Sequence, residues 1–218
     1  MYVHPAFAIS DDAALGFASK RGFGVATAIS EHDKPAKQIG AHVPFVLKRS
    51  ADLPARLEFH VSRANPIAEC TDGSIDWLFV VTGSDAYVSA DWYEGDQQVP
   101  TWLYEAVHFT GPCRRMTAAQ LALHSDELSA EFENRLRPKR PWTSDKMQPA
   151  RRDAMRRGIV GLSMTIKHVA GQAKLNQHKS EADRIAVAKA LSECEDSGSQ
   201  TIARLIQSSL EKNRDDGT

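Results

Sequence analysis

The sequence predicts a mainly β protein with peripheral helices, in the α+β class. Five or six segments in the first half have the alternating or continuously apolar pattern of strands, and the second half changes to helical spacing. Strands in antiparallel runs with short turns favour a small barrel. The chain has 218 residues, 42% of them hydrophobic and 25% charged, so its composition is that of an ordinary globular protein.

The first half begins with a short helix, which Ser10 is expected to cap. Strands are predicted at 22–30, 38–47, 56–62, 75–82, 86–89 and 99–110. Pro44 lies inside the second of these strands. It requires a sheet edge or a bulge there, because proline has no N–H to donate to a ladder.

The second half is mostly helical. Helices are predicted at 117–137, 149–157, 180–195 and 199–212, with one strand at 159–169. Thr117 is expected to cap the first of these helices, and Gly158 to end the second. We expect a barrel domain over residues 1–170 with a helical insertion at about 117–157, and a C-terminal segment over 171–218 packed on the barrel.

The charge is balanced overall but unevenly distributed. The chain has 27 Lys and Arg against 28 Asp and Glu, which gives a net charge of −1 and excludes a protein that is basic all over. Nine basic residues lie in 135–157, against Asp145 and Asp153. This stretch is a solvated basic face, a surface that meets an acidic partner subunit, or a DNA contact.

The remaining composition excludes several classes of protein. The three cysteines, Cys70, Cys113 and Cys194, form no CxxC pair, so neither a disulfide framework nor a zinc site is expected. No apolar run reaches the roughly 18 residues of a membrane helix, and the N-terminus lacks the pattern of a signal peptide. We therefore expect a cytoplasmic protein that is not bound to a membrane.

Aromatic residues are concentrated in one short span. Five of the eight Trp and Tyr residues lie there: Tyr87, Trp92, Tyr93, Trp102 and Tyr104. Ser89 and Thr101 lie between them. Apolar rings with a few fixed polar groups suit a planar, hydrogen-bonding ligand, although the same rings could form one wall of the core.

Two polar segments could add ligand contacts. In HVSRANP, Arg63 beside the Asn65 turn could hold a phosphate, or could be a surface residue next to a turn. In GQAKLNQHKSEADR, Lys174 and Gln177 offer donors just before Ser180, which starts a helix. The histidines are scattered without metal-binding spacing, so no metal is expected. The sequence shows no catalytic motif or nucleophile, so any catalytic residue is unknown.

The ordered segments AHVPFVL, HVSRANP, AYVSADWY, VPTWLYEAVHFTG, GIVGLSMTI and GQAKLNQHKSEADR resemble the PaiB family of FMN-binding negative transcriptional regulators. The resemblance covers roughly residues 1–190. It implies an FMN-binding split β-barrel that forms a homodimer, with FMN in the groove between subunits. The residues in matching segments are His42, Pro44, His60, Arg63, Asn65, Ser89, Trp92, Tyr93, Thr101, Trp102, Tyr104, Lys174 and Gln177.

On this resemblance, Arg63 and Lys174 are the expected phosphate contacts and the aromatic span is the wall near the isoalloxazine. The C-terminal segment from residue 171 would also contact the ligand. The chain departs from the family pattern at Ile67-Ala68, where the family commonly has Gln-Trp, and at Asn176 and His178, where it tends to have Ser and Asn.

Two other functions fit the same fold. One is an NAD(P)H-dependent flavin reductase or an FMN-dependent oxidase of a small metabolite, in which the flavin does the chemistry and the protein positions it. The other is a haem-handling split barrel, with His42, His60 and His178 as candidate axial ligands.

Overall fold

The computed structural model describes residues 1–30, 35–71 and 73–215, with side chains described up to 211. Within these residues the strands are β1 (Phe23–Ser30), β2 (Lys37–Lys48), β3 (Arg56–Ser62), β4 (Asp76–Val88), β5 (Thr101–Arg115), β6 (Ile159–Thr165) and β7 (His168–Lys174). The α-helices are α1 (Asp11–Arg21), α2 (Ala118–Asn134), α3 (Pro149–Arg157), α4 (Glu181–Ser192) and α5 (Ser197–Asp215).

The strands form one seven-stranded sheet in the order β4-β1-β2-β3-β6-β5-β7. An additional pairing between β4 and β5 closes the order of strands into a ring. The β1–β2, β1–β4, β2–β3, β3–β6 and β5–β6 pairs are antiparallel. The expectation of a barrel in the α+β class is confirmed.

β2 changes partner in its middle. Its first part, up to Pro44, pairs with β1, and its second part, from Phe45 onward, pairs with β3. Pro44 therefore lies where one ladder ends, a position at which a missing N–H is tolerated. The N–H of Phe45 continues the pairing by donating to the carbonyl of Gly22 at 3.0 Å.

Several local predictions are confirmed, because capping residues mark the ends of these elements. Ser10 Oγ accepts from the N–H of Ala13 at 3.2 Å at the start of α1. Thr117 and Gln120 form a reciprocal capping box at the start of α2. α3 spans the predicted 149–157, with Gly158 at its C-cap.

Two strand predictions are wrong. The segments 75–82 and 86–89 are one continuous strand, β4, because sheet pairing keeps the turn-like residues between them extended. The predicted strand 159–169 is two strands, β6 and β7. The backbone N–H groups of Ile166 and Lys167 bond to Ala55 and Thr110 instead of continuing a ladder, and nothing in the apolar pattern of the sequence marks that break.

The chain divides into two compact units. The first unit comprises Met1–Ala14, Thr82–Val107 and the described chain from Ala170, and the second comprises Leu15–Val81 and His108–Val169. The first unit has a core of mainly aliphatic residues from β4, β5, β7, α4 and α5, which also includes Tyr93. The second has a core of interlocking aromatic rings, in which Phe79 lies 5.0 Å from Phe45 and 5.4 Å from Phe59 between ring centroids.

No helix in the described part of the chain is both long and apolar enough to cross a membrane.

Replacing Gly111 with alanine is expected to destabilise the protein. A Cβ at Gly111 in β5 would lie 1.8 Å from the carbonyl oxygen of Thr165, so the backbone must shift. Such overpacking costs about 1–3 kcal/mol or more of the free energy of unfolding, which urea denaturation measures. Gly40→Ala in β2 is the matched control, since its nearest neighbour would lie at 3.8 Å. Equal stability of the two variants would show that the Thr165 carbonyl does not restrict position 111.

Candidate functional site

Two hydrogen bonds join side chains of β5 and β7 in the first unit. Lys174 Nζ donates to Thr101 Oγ1 at 2.6 Å, and Gln172 Nε2 donates to Tyr104 Oη at 2.5 Å. Burial lowers the pKa of Lys174 below its ordinary value of 10.5. The structure therefore brings together three of the predicted residues and adds Gln172, which no pattern in the sequence singles out.

The turn after β7 holds Tyr93. Asn176 is fully buried with a φ of 60°, and its Nδ2 donates to Tyr93 Oη at 3.0 Å. Lys179 Nζ lies 5.4 Å from the centroid of the same ring. Burial raises the pKa of Tyr93, and the hydrogen bond from Asn176 acts in the opposite direction. The departure from the family pattern at Asn176 is thus part of the support for this ring.

Three predicted residues are engaged in local turns. Ser89 Oγ and Asn65 Oδ1 each accept from the backbone N–H two residues along, at 3.3 and 3.1 Å. Gln177 Oε1 accepts from the N–H of Leu175 at 2.8 Å. Trp92 is half-buried and packs against the core of the first unit. The described contacts of all four residues are structural.

Two aromatic side chains of the first unit face solvent. Tyr87 is 49% exposed and Trp102 is 55% exposed, and their rings meet edge to face with centroids 5.9 Å apart. An exposed pair of large rings is unusual unless something covers it. This surface is therefore available to a planar ligand or to another protein surface.

Arg63 lies in a groove of the second unit. Its Nε and Nη2 donate to the carbonyls of Arg157 and Ile159 at 2.7 and 3.1 Å. Arg115, which no motif of the sequence marks, is likewise held by a backbone carbonyl and a threonine hydroxyl. With Arg156, Arg157 and the carboxylate of Asp153 they line a groove of about 540 Å³, in which guanidinium groups outnumber carboxylates. Neutral acceptors orient the guanidinium groups of Arg63 and Arg115 without cancelling their charge, so the groove favours an anion.

His42 and Pro44 lie two positions apart in β2, so they share one face of the strand. The imidazole of His42 is exposed and stacks on the ring of Phe23, with 6.4 Å between centroids. Phe23 is also the register partner of Pro44. The three residues form one small surface on the second unit.

His60 has a partner that the sequence does not reveal. Its Nδ1 lies 3.3 Å from Nε2 of His124, which is 1% exposed. Burial, followed by the charge of His60, lowers the pKa of His124 from 6.5 to about 4. Burial also lowers the pKa of His60. The pair is therefore neutral at pH 7 and shares a single hydrogen bond.

The predicted site residues fall into two groups. The first unit holds Ser89, Trp92, Tyr93, Thr101, Trp102, Tyr104, Lys174 and Gln177, and the second holds His42, Pro44, His60, Arg63 and Asn65. The two predicted phosphate contacts thus belong to different units. In the part of the chain that the structure describes, no three His, Cys, Asp or Glu side chains are grouped to hold a metal ion.

The closed ring of strands with its helices is the split β-barrel fold, which solved structures share. A conserved hypothetical protein from Mycobacterium tuberculosis matches with a TM-score of 0.57 and 10% identity, over 82% of this chain and 92% of that chain. The FAD and haem binding protein from Mycobacterium smegmatis matches with a TM-score of 0.53 and 14% identity, over 81% and 77%. The flavocytochrome Anf3 from Azotobacter vinelandii matches with a TM-score of 0.51 and 13% identity, over 77% and 69%.

The sequence comparisons identify the family. Residues 1–168 match the family described as "Putative FMN-binding domain", so the chain belongs to this family. The protease synthase and sporulation protein PAI 2 of Bacillus subtilis strain 168 is 27% identical over 214 residues, which are 97% of this chain and 99% of that protein. The resemblance to the PaiB family is confirmed.

The buried imidazole pair is expected to make stability depend on pH. The unfolded chain binds a proton at His124 near pH 6.5, but the folded protein binds it only near pH 4. The contribution of His124 to the free energy of unfolding is therefore complete above pH 6.5 and is lost as the pH falls toward 4. Between about pH 7 and about pH 5 the free energy of unfolding should fall by about 2 kcal/mol from this residue. Urea denaturation at the two pH values measures the change.

His124→Gln should reduce that pH dependence by about the same amount. The control is His168→Gln, because His168 is exposed on β7, and this variant should behave as the original protein does. An undiminished dependence in His124→Gln would show that the burial of His124 is not its source.

Proposed function

We propose that this protein is a homodimer that binds FMN and acts as a negative regulator of transcription of the PaiB type. Its family and its relative along nearly the whole chain support the proposal. The observation that carries the FMN assignment is the cation and hydroxyl pair of Lys174 and Thr101 in the same unit as the exposed rings of Tyr87 and Trp102.

The residues present fit FMN. Lys174 and Thr101 supply a positive charge and a hydroxyl group, which a phosphate needs. Tyr104 and Gln172 supply polar groups that can meet the edge of a heterocycle, and Trp102 supplies an exposed aromatic face. Bound FMN would supply electron and hydride transfer chemistry, while this chain binds it, orients it and excludes water.

Arg63 is the second proposed phosphate contact. Its guanidinium is already oriented by two backbone carbonyls, which fixes its direction but leaves its charge uncompensated. A bidentate contact with phosphate is the typical use of such an arginine. Because Arg63 and Lys174 lie in different units, each contribution has to be measured separately.

A homodimer is supported by the surface of the first unit. Three positions before Trp102 in the chain, Val99 is also exposed, at 70%. Three large exposed apolar side chains within 16 residues are unfavourable in water, and covering them suits a second copy of the chain. FMN would lie beside this surface, as in the groove between subunits that the family implies.

Some cations of the C-terminal half are already held in ion pairs. In the basic stretch 135–157, Arg135 pairs with Glu131 and Lys139 with Glu133. Arg156 pairs with Asp126. Because paired cations add little to counterion release, direct contact with DNA would rest mainly on exposed cations of this stretch outside the three pairs, such as Arg137, Arg140 and Arg151.

Haem is the second candidate ligand, because two structures with this fold are named for haem or as a flavocytochrome. Of the candidate axial histidines, His60 is already hydrogen-bonded to His124. The ring of His178 packs on the ring of Phe7, with 5.2 Å between the two centroids. An absorption spectrum separates the ligands, since haem gives one intense Soret band.

Rapid oxidation of NAD(P)H would favour the flavin-enzyme alternative, and altered transcript levels in a deletion strain would favour regulation.

Lys174→Met and Arg63→Met are each expected to weaken FMN binding. Loss of one charge-assisted contact costs roughly 1.5–3 kcal/mol, which is about a 10- to 150-fold rise in Kd. Quenching of FMN fluorescence during titration measures Kd. Lys189→Met, which removes an exposed lysine from α4 of the first unit, should leave Kd unchanged. If neither Lys174→Met nor Arg63→Met alters Kd, the phosphate assignment is wrong.

Trp102→Glu is expected to convert the dimer to a monomer, because a carboxylate would be desolvated at the proposed interface. Sedimentation equilibrium measures the association. The control is Leu123→Glu, which charges a residue of α2 that is 60% exposed and should leave the dimer intact. A monomeric original protein, or a Trp102→Glu variant that associates equally well, would contradict the proposal.

A further inference from the structure

The second unit contains a cavity of about 240 Å³, and His60 is the one residue of its lining that belongs to the predicted flavin site. It lies among α2, α3, the segment 142–147, the end of β3 and the start of β6. Its apolar walls are Leu128, Trp142, Met147, Met155 and Ile159. The cavity is smaller than the roughly 300–1,000 Å³ of pockets for drug-sized ligands, so its size suits a small metabolite.

The polar groups that line the cavity leave one positive charge without a counter-charge among the described residues. Arg156 Nη2 donates to both carboxylate oxygens of Asp126 at 3.0 and 3.1 Å, so these two charges cancel. Arg152 also lines the cavity, and its Nε is buried with no hydrogen-bond partner in the described part of the chain. A buried and unpaired guanidinium nitrogen is costly, and a carboxylate oxygen would satisfy it.

The imidazoles of His60 and His124 do not supply that counter-charge. His60 lines the cavity and is hydrogen-bonded to His124, and burial lowers the pKa of both groups, so both are neutral at pH 7. The charges of Lys48 and Glu127 affect the pKa of His124, and these two side chains form an ion pair with each other at 2.5 Å. A ligand with one negative charge would therefore balance the site, whereas a phosphate dianion would leave excess charge.

The walls also favour a flat ligand. Trp142 and His60 contribute ring surfaces, and Met147 and Met155 contribute thioethers, which contact aromatic rings favourably. We propose that this cavity binds a small aromatic monocarboxylate of the arylacetate type, with its carboxylate on Arg152 and its ring among Trp142, Met147 and Met155. This site is independent of the proposed flavin contacts of the first unit.

Phenylacetate is the probe, and 2-phenylethanol is its uncharged counterpart. In a protein labelled with ¹³C at the methionine methyl groups, ring currents should shift the signals of Met147 and Met155. Met1 and Met164 lie outside the cavity lining and serve as internal controls. We expect saturable shifts with a Kd of about 1 mM, and at least about 10-fold weaker binding of 2-phenylethanol.

Two variants on α3 test the role of the guanidinium. Arg152→Met should weaken phenylacetate binding at least about 10-fold, while Arg151→Met, an exposed neighbour, should not change it. The signal of buried Met164 reports in each case whether the variant is folded. The proposal is overturned if phenylacetate shifts neither Met147 nor Met155, if the alcohol binds equally well, or if folded Arg152→Met binds phenylacetate as the original protein does.

Discussion

The pairing of β5 with three neighbours is the constraint on which the rest of the structure depends. This strand of fifteen residues neighbours β6 and β7 and has an additional pairing with β4, which closes the ring. Without that closure, long strands would expose unpaired edges. The beginning of β5 supplies Thr101, Trp102 and Tyr104, and its end supplies Arg115. One strand therefore supplies residues to both the proposed flavin contacts and the arginine groove.

Local signals in the sequence are sufficient to predict the bounds of elements whose ends are marked by specific residues. β3 spans the predicted 56–62, since its alternation begins and ends cleanly, and α3 lies between Pro149 and Gly158 as predicted. The division between β6 and β7 could not be predicted, because Ile166 continues an apolar run and the bonds that end the strand go to distant residues. The order of strands depends on the same long-range pairing, for which periodicity carries no information.

The sequence predicts the types of residue in the candidate site, but it predicts only some of the residues that they contact. Lys174 and Thr101 are 73 positions apart, and the structure joins them directly. Gln172, Arg115 and His124 escape prediction because each depends on a partner at least 44 positions away. Conversely, the local turn contacts of Ser89 and Gln177 are hidden in the sequence, since a capping side chain and a ligand contact have the same residue types. Ligand contact by the predicted residues stays a prediction.

Retention of FMN by this split barrel is tested most directly by the absorption spectrum of the purified protein, mixed with FMN and then separated from free FMN on a desalting column. We expect the twin flavin bands, in the blue and the near-ultraviolet, to elute with the protein at one FMN per chain. A colourless protein fraction, with all FMN in the small-molecule fraction, would contradict the proposed cofactor.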